Sequence, residues 1–543
     1  MTRVKLIAAI LLVSAAPRSM AQEHEHGAGE KLGSVSFATS CTPAVQKEFN
    51  RAVALLHSFQ FSRAIEGFNA VLAEDASCGI AYWGISLSDW GNPFASGMKD
   101  KGQLQLGRES AARGKKVGSK TERERVYVAA VSKLYGDFES TPQQARLLAY
   151  RDAMEEVAAK YPEDHEAQIF YALALAESQD PADKTYAGRL KAGAVLEKLF
   201  EQEPSHPGLA HYIIHTYDVP ALAGQALVAA RRYSEIAPDA PHALHMPSHT
   251  FTRLGYWQES IDSNTAAAAS ARRQGPSQTA EELHASDYEI YAYLQSGQDQ
   301  AAGRLVRSLP EIEARFDPKL ILGGSAPPAV GYFALAAIPA RYALEREDWK
   351  QAEQLELRET PFPYSDAMTW FARGLGAGRQ GHVAAANEAA AALQQIQMRL
   401  LKANETYWAR QVEIEQLAAT AWAAFAAENK QTALRQMRSA AELEDGTEKS
   451  AVTPGPLAPA RELLAEMLLQ MNEPKQALEQ FAATLQKEPR RFRSLYGAAH
   501  AAQLSGSHDL SQKYFSELQQ VCARADKPPR AELEEAERAV SKK

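Results

Sequence analysis

Beyond Cys41, apolar residues recur three and four positions apart along most of the chain, and the strict alternation of a half-buried strand is absent. Alanine fills many of the remaining positions, which favours helix. Proline and glycine fall at regular intervals, where helices should stop. The pattern predicts helix pairs that turn at Ser58-Phe59-Gln60-Phe61, Leu254-Gly255, Ser296-Gly297, Glu347-Asp348-Trp349, Arg379-Gln380-Gly381, Glu428-Asn429, Asn472-Glu473 and Gly506-Ser507. Their spacing is periodic. Pro204 and Pro238, Pro207 and Pro241, and Asn472 and Gly506 are each 34 residues apart. A repeat of that length is one helix hairpin that cannot bury its apolar face alone, so neighbouring hairpins must stack.

The turn at Leu254-Gly255-Tyr256-Trp257, the small and apolar residues Ser260-Ile261, and Ala477, Phe481 and Pro489 after the Asn472 turn resemble the tetratricopeptide repeat. The resemblance is closest over 205–272 and 456–522 and covers most of 42–525. It implies an all-α fold, a right-handed α-solenoid of tetratricopeptide-like helix hairpins. The expected organisation is a signal peptide at 1–21, a flexible leader at 22–41, an N-terminal array at 42–310 with histidine-rich repeats, an irregular insertion at 311–330, a C-terminal array at 331–525 and a charged tail at 526–543. Segment 91–120 also reads as irregular.

Charge and cysteines refine this picture. Arg3 and Lys5 precede an apolar stretch from Leu6 to Ala16, and Ser19-Met20-Ala21 offers small residues for cleavage, the pattern of a secretory signal. Export to the periplasm or medium is therefore expected. No later stretch reads as a membrane span. The formal charge of −8 and the lack of a basic stripe interleaved with aromatics argue against nucleic acid as a partner. Cys41 and Cys78 precede helices one repeat apart; they either bridge or stay as two buried thiols. Cys522 is left over and is expected to be buried.

The candidate chemistry is histidine. Of 14 histidines, six lie between His206 and His249. His211 and His215 form an i, i+4 pair, as do His245 and His249, and the two pairs are 34 residues apart. On adjacent first helices of a solenoid, such pairs share one face and line the concave side. The axes would lie about 8–10 Å apart, close enough for four imidazoles to converge on one ion. Aligning the Ser296-Gly297 turn with Leu254-Gly255 gives an offset of 42 and maps His242 to His284, His245 to Asp287 and His249 to Tyr291. The predicted ligand set is His211, His215, His245 and His249, with Asp287, His284 and His242 completing or tuning it. Such a set suits Zn, Cu or Fe without choosing among them. Pro247 either starts a helix or kinks one between His245 and His249. Neither pair reads His-Glu-x-x-His, so the zincin protease pattern is absent and a catalytic base would come from elsewhere, with Asp218 and Asp287 as candidates. His206 and His242 adjoin prolines, where capping or loop packing is as good a role as ligation. His57, His165, His382, His500 and His508 read as incidental, and Tyr82, Trp83, Trp90 and Phe94 as core and rim packing.

The signal-like start, Phe37-Ala38-Thr39-Ser40-Cys41, Ala81-Tyr82-Trp83-Gly84 and the segment from His211 to His249 together resemble a group of exported bacterial tetratricopeptide-repeat proteins without a settled biochemical function. The resemblance implies fold and location and supplies no reaction. The expected function is a periplasmic or secreted metal-binding protein, with metal-dependent catalysis as an extension. The alternative is a scaffold whose groove takes a peptide, protein or small-molecule ligand without metal.

Overall fold

The structure is a computed structural model that describes residues 29–95, 97–180, 183–320 and 323–541. The signal-like segment lies outside them. Among the described residues the fold is all-α, an α-solenoid of helix hairpins stacked in chain order. Gln46–His57 pairs with Phe61–Glu74, Pro207–Thr216 with Leu227–Ile236, Thr279–Gln295 with Asp299–Glu313, and Ala460–Gln470 with Pro474–Lys487. No helix among them is long and apolar enough to cross a membrane.

The hairpin turns share one chemistry. Phe59, Gly255, Gly297, Glu347, Gly381, Glu428, Asn472 and Gly506 all have positive φ, between 53° and 80°. Each left-handed residue lets the next N–H reach back five residues into the first helix, as from Tyr256 N to Phe251 O at 2.8 Å and from Ser507 N to Ala502 O at 2.8 Å. That is the Schellman arrangement, and it satisfies carbonyls that a helix end would otherwise leave open. Most of these positions hold Gly, Asn or a long polar side chain. Phe59 is the bulky exception, at φ 54°.

Three segments differ from expectation. Lys101–Val117 is a regular helix within the stretch expected to be irregular, capped by Asp100, whose carboxylate accepts from the backbone of Gly102 and Gln103. In place of a flexible leader, residues 30–41 pack on the first hairpins: Phe37 is fully buried against Phe49, Trp83 and Tyr127. An apolar ring that can reach such a cluster is more stable there than in water. Within the charged C-terminal stretch, Ala531–Val540 forms a helix whose Leu533 and Ala536 pack against the last hairpin. Cys41 and Cys78 are joined in a disulfide, and Cys522 is a buried thiol.

Two non-helical segments pack against the helices that carry or adjoin the histidines. Residues 447–459 lie against the Thr279–Gln295 and Pro328–Leu344 helices, where Tyr288 donates to Ala451 O at 2.9 Å and Arg341 donates to Gly455 O at 3.0 Å. Residues 323–327 lie nearer the first hairpins: Asn92 donates to Ser325 O and Ser62 to Gly323 O, each at 3.0 Å. Between these segments the first helices present the histidines.

Candidate metal centre

Pro207 starts the first histidine helix, where its missing N–H costs nothing, and the i, i+4 spacing places His211 and His215 on its inner face. The next first helix is made in two pieces, Pro241–His245 and Pro247–Leu254. Pro247 cannot donate to the ladder, so a new helix begins there. Met246 between them keeps helical dihedrals (φ −54°, ψ −35°), so the chain does not change course. His245 and His249 therefore still face the same way, with their Nε2 atoms 3.0 Å apart.

The six inner histidines form two triads, in place of the single four-histidine ring read from the sequence. His211, His215 and His242 make one, and His245, His249 and His284 the other; within each, the ligand atoms lie within 4.8 Å of one another. In the first, His211 Nε2 and His242 Nε2 are 3.1 Å apart, and His215 Nε2 is buried without a hydrogen-bond partner among the described residues. In the second, His245 Nε2 and His249 Nε2 are paired in the same way, and His284 Nδ1 is the buried atom without a partner. All six side chains are at least 94% buried.

The outer ring nitrogens identify the tautomers. His211 Nδ1 faces the carbonyl of His57 at 2.6 Å, His245 Nδ1 faces Asn264 Oδ1 at 2.7 Å, and His249 Nδ1 faces Asp218 Oδ2 at 3.0 Å. Each partner is an acceptor. Asn264 is oriented by its own amide donating to Ser260 O at 2.7 Å. Each Nδ1 therefore carries the proton, and each Nε2 points inward as a bare lone pair. His242 Nδ1 meets Ser325 Oγ at 2.7 Å, with Glu281 Oε2 3.9 Å away. Burial drives His211 and His284 down to about 3 and holds His215, His242 and His245 well below the usual imidazole value, with neighbouring histidines adding to the effect. His249 is also lowered by burial, against the opposing pull of Asp218.

Asp218 anchors this arrangement. Burial would raise its carboxyl, but Lys449, Arg253 and the His249 hydrogen bond hold it well below the usual range. Arg253 Nε sits 2.8 Å from Oδ1 and Lys449 Nζ 3.5 Å from Oδ2. A carboxylate behind a histidine is the usual outer partner of a metal ligand. Asp287 is placed differently. Its carboxylate is fully buried in an ion pair with Arg341 at 2.7 Å and joins neither triad. Tyr291 likewise turns away and accepts from Arg491 at 3.1 Å. The contacts across these two helices pair residues 39 apart, not 42: His284 lies against His245 and Tyr288 against His249, with ring centroids 4.4 and 4.8 Å apart.

Sequence reasoning missed several participants. His57, read as incidental, is fully buried; its Nε2 meets Glu166 Oε2 at 2.9 Å, and Glu166 Oε1 meets His206 Nε2 at 3.0 Å. Burial would raise Glu166, but the two histidines lower it overall. This group fixes the carbonyl of His57 on which His211 rests. Phe59 packs its ring on His211, His215 and His242, which accounts for a bulky residue at a left-handed turn position. Phe94 stacks on His215 at 4.1 Å. Nothing local marks Glu166, Asn264 or Ser325, because each is defined by a partner at least 19 residues away.

Beyond Lys449 lies a cavity of about 310 Å³, walled by Tyr364, Trp408, Glu415, Glu444, Lys449 and Glu488 among others. Tyr364 and Trp408 stack at 4.1 Å. Burial pushes Glu415 up to about 8 and Glu444 up to about 7, with their mutual proximity adding to the Glu415 shift. Between the ordinary value of 4.5 and about 7–8, the folded chain keeps protons that the unfolded chain has released, so stability falls as pH rises. The Glu415→Gln/Glu444→Gln variant is expected to resist urea better than the parent at about pH 8.5 and equally at about pH 5. Equal midpoints at both pH values would contradict the shift.

No family model matches the chain, and no curated protein matches it in sequence. Among solved structures it is similar to human IFIT1 as a dimer with PPP-AAAA, at 11% identity over 82% of this chain and 91% of that one, with a TM-score of 0.37. It is also similar to human IFIT1 as a dimer with m7Gppp-AAAA, at 11% identity over 88% and 95%, with a TM-score of 0.37. The likeness is one of repeated helical architecture and goes no further.

Proposed function

We propose that this protein is an exported transition-metal-binding protein that holds its ion on histidines lining the concave side of the solenoid. The observation that carries this reading is the pair of Nε2 atoms of His245 and His249, 3.0 Å apart with both Nδ1 atoms committed as donors. Two inward lone pairs repel unless a cation lies between them. Two imidazoles on one tetrahedral Zn have their nitrogens about 3.3 Å apart, so small ring rotations are enough to admit an ion. Asp218 behind His249 and Asn264 behind His245 act as orienting outer partners. Neutral imidazoles suit Zn, Cu or Fe. Three nitrogen ligands leave a coordination position open, which makes metal-dependent catalysis the natural extension. The signal-like N-terminus and the Cys41–Cys78 disulfide support an oxidising compartment. An extended peptide is the weaker occupant of the groove, because residues 447–459 already lie along it beside Tyr288 and Arg341.

The test is metal analysis of the purified chain after loading with Zn, Cu or Fe salts and dialysis. At least one ion per chain is expected, with substantial loss in the His245→Ala/His249→Ala variant. A chain that retains none of the three metals would overturn the reading.

A further inference from the structure

We propose that His211, His215 and His242 hold a second ion, and that the two ions form one dinuclear centre that takes a small anionic ligand between them. This rests on the metal reading above and extends it to a site of defined nuclearity.

The first support is the repetition of an unusual donor pattern. Each triad has two Nε2 atoms facing one another, at 3.1 and 3.0 Å, and a third buried ring nitrogen without a partner among the described residues. Buried polar atoms are nearly always satisfied, so an orphan ring nitrogen beside each facing Nε2 pair, with the ligand atoms of each triad within 4.8 Å of one another, needs an explanation. A metal ion in each triad supplies it. In the His57–Glu166–His206 group His206 Nδ1 is likewise buried without a partner among the described residues, but a carboxylate stands between the two Nε2 atoms. That carboxylate satisfies both, which marks the group as support for His211.

The second support is contiguity. The triads share a wall: His215 lies 5.8 Å from His249 and His242 lies 5.9 Å from His245, centroid to centroid.

The third is charge. All six donors are imidazoles, which bring no negative charge to an ion. The nearest carboxylates stand behind them, Asp218 on the outer nitrogen of His249 and Glu281 3.9 Å from the outer nitrogen of His242. Two divalent ions in a buried setting therefore lack an anion in direct contact, and bringing that charge together without one is costly. An exogenous anion between the ions removes the repulsion and fills the open position on each. Phe59 and Phe94 cover the first triad and Tyr288 flanks the second. Such walls limit the ligand to a few atoms, such as hydroxide or azide.

Copper(II) is the probe of choice because it forms the strongest complexes with nitrogen donors among divalent first-row metals. The full chain would be loaded with copper(II), dialysed, and measured for copper content, electron paramagnetic resonance spin count and absorption with added azide. The expected result is two coppers per chain, a spin count well below two because the bridged ions couple, and a new azide-dependent absorption band. His215→Ala and, separately, His242→Gln should each leave one copper with a full spin count, and that retained copper reports that the chain has folded. One copper per chain in the unaltered protein, unaffected by either variant, overturns the dinuclear proposal and leaves the metal reading standing. Two coppers with the spin count of isolated ions and no azide response also overturn it. No bound copper, zinc or iron defeats both.

Discussion

Exchanging His249 for alanine is expected to weaken metal retention by more than about 100-fold, beyond the range for loss of an outer-shell contact. The change removes a nitrogen that faces His245 Nε2 at 3.0 Å. It leaves Asp218 still paired with Arg253 and Lys449, so no carboxylate is stranded. Asp218→Asn is the graded companion. It keeps all three nitrogens of the triad but loses the negative charge that holds the proton on His249 Nδ1, and about 10–100-fold weaker binding is expected. Competition against a chromophoric chelator measures both. Equal affinity for His249→Ala and the parent would remove His249 from the ligand set, and an unaffected Asp218→Asn would show that its carboxylate does not tune the site.

The largest expected effect on stability is at Arg341. Its guanidinium donates to Asp287 at 2.7 Å, to Thr453 Oγ1 at 2.7 Å, and to the carbonyls of Gly455 and Pro456 at 3.0 and 3.2 Å. Arg341→Met leaves the Asp287 carboxylate buried without its cation, at a cost of about 3–5 kcal/mol. It also frees the 447–459 segment from the Pro328–Leu344 helix. A lower thermal midpoint and faster proteolysis within 447–459 are the expected readouts. Adding Asp287→Leu should recover most of the loss, because the penalty lies in the stranded charge and not in the missing pair. A single variant as stable and as protease-resistant as the parent would refute this role for Arg341.

The hairpin turns were legible because each depends on a few neighbouring residues. A left-handed position with its five-residue return bond can be recognised from Gly255, Gly381 or Asn472 and the apolar spacing around it. The histidines were legible as a face for the same reason, since i, i+4 spacing on a helix is a local property. Their partners were not. His57 lies 154 residues from His211, and Ser325 lies 83 from His242. No local pattern relates such residues, and His57 taken by itself reads like any other core histidine.

By itself the sequence determined the helical period, the turn positions, and the fact that two histidine pairs occupy equivalent places one repeat apart. Only the tertiary structure decided how those pairs are shared out. Equivalent residues are 34 apart, yet His242 meets His211 at a separation of 31, and Tyr288 meets His249 at 39. Packed helices set the side chains of one into the grooves of the next, so a ring contacts a residue displaced along the neighbouring helix and not its own counterpart. That displacement brings His242 to the first pair and His284 to the second, and leaves Asp287 to Arg341. Two triads stand where the repeat alone predicted a ring of four.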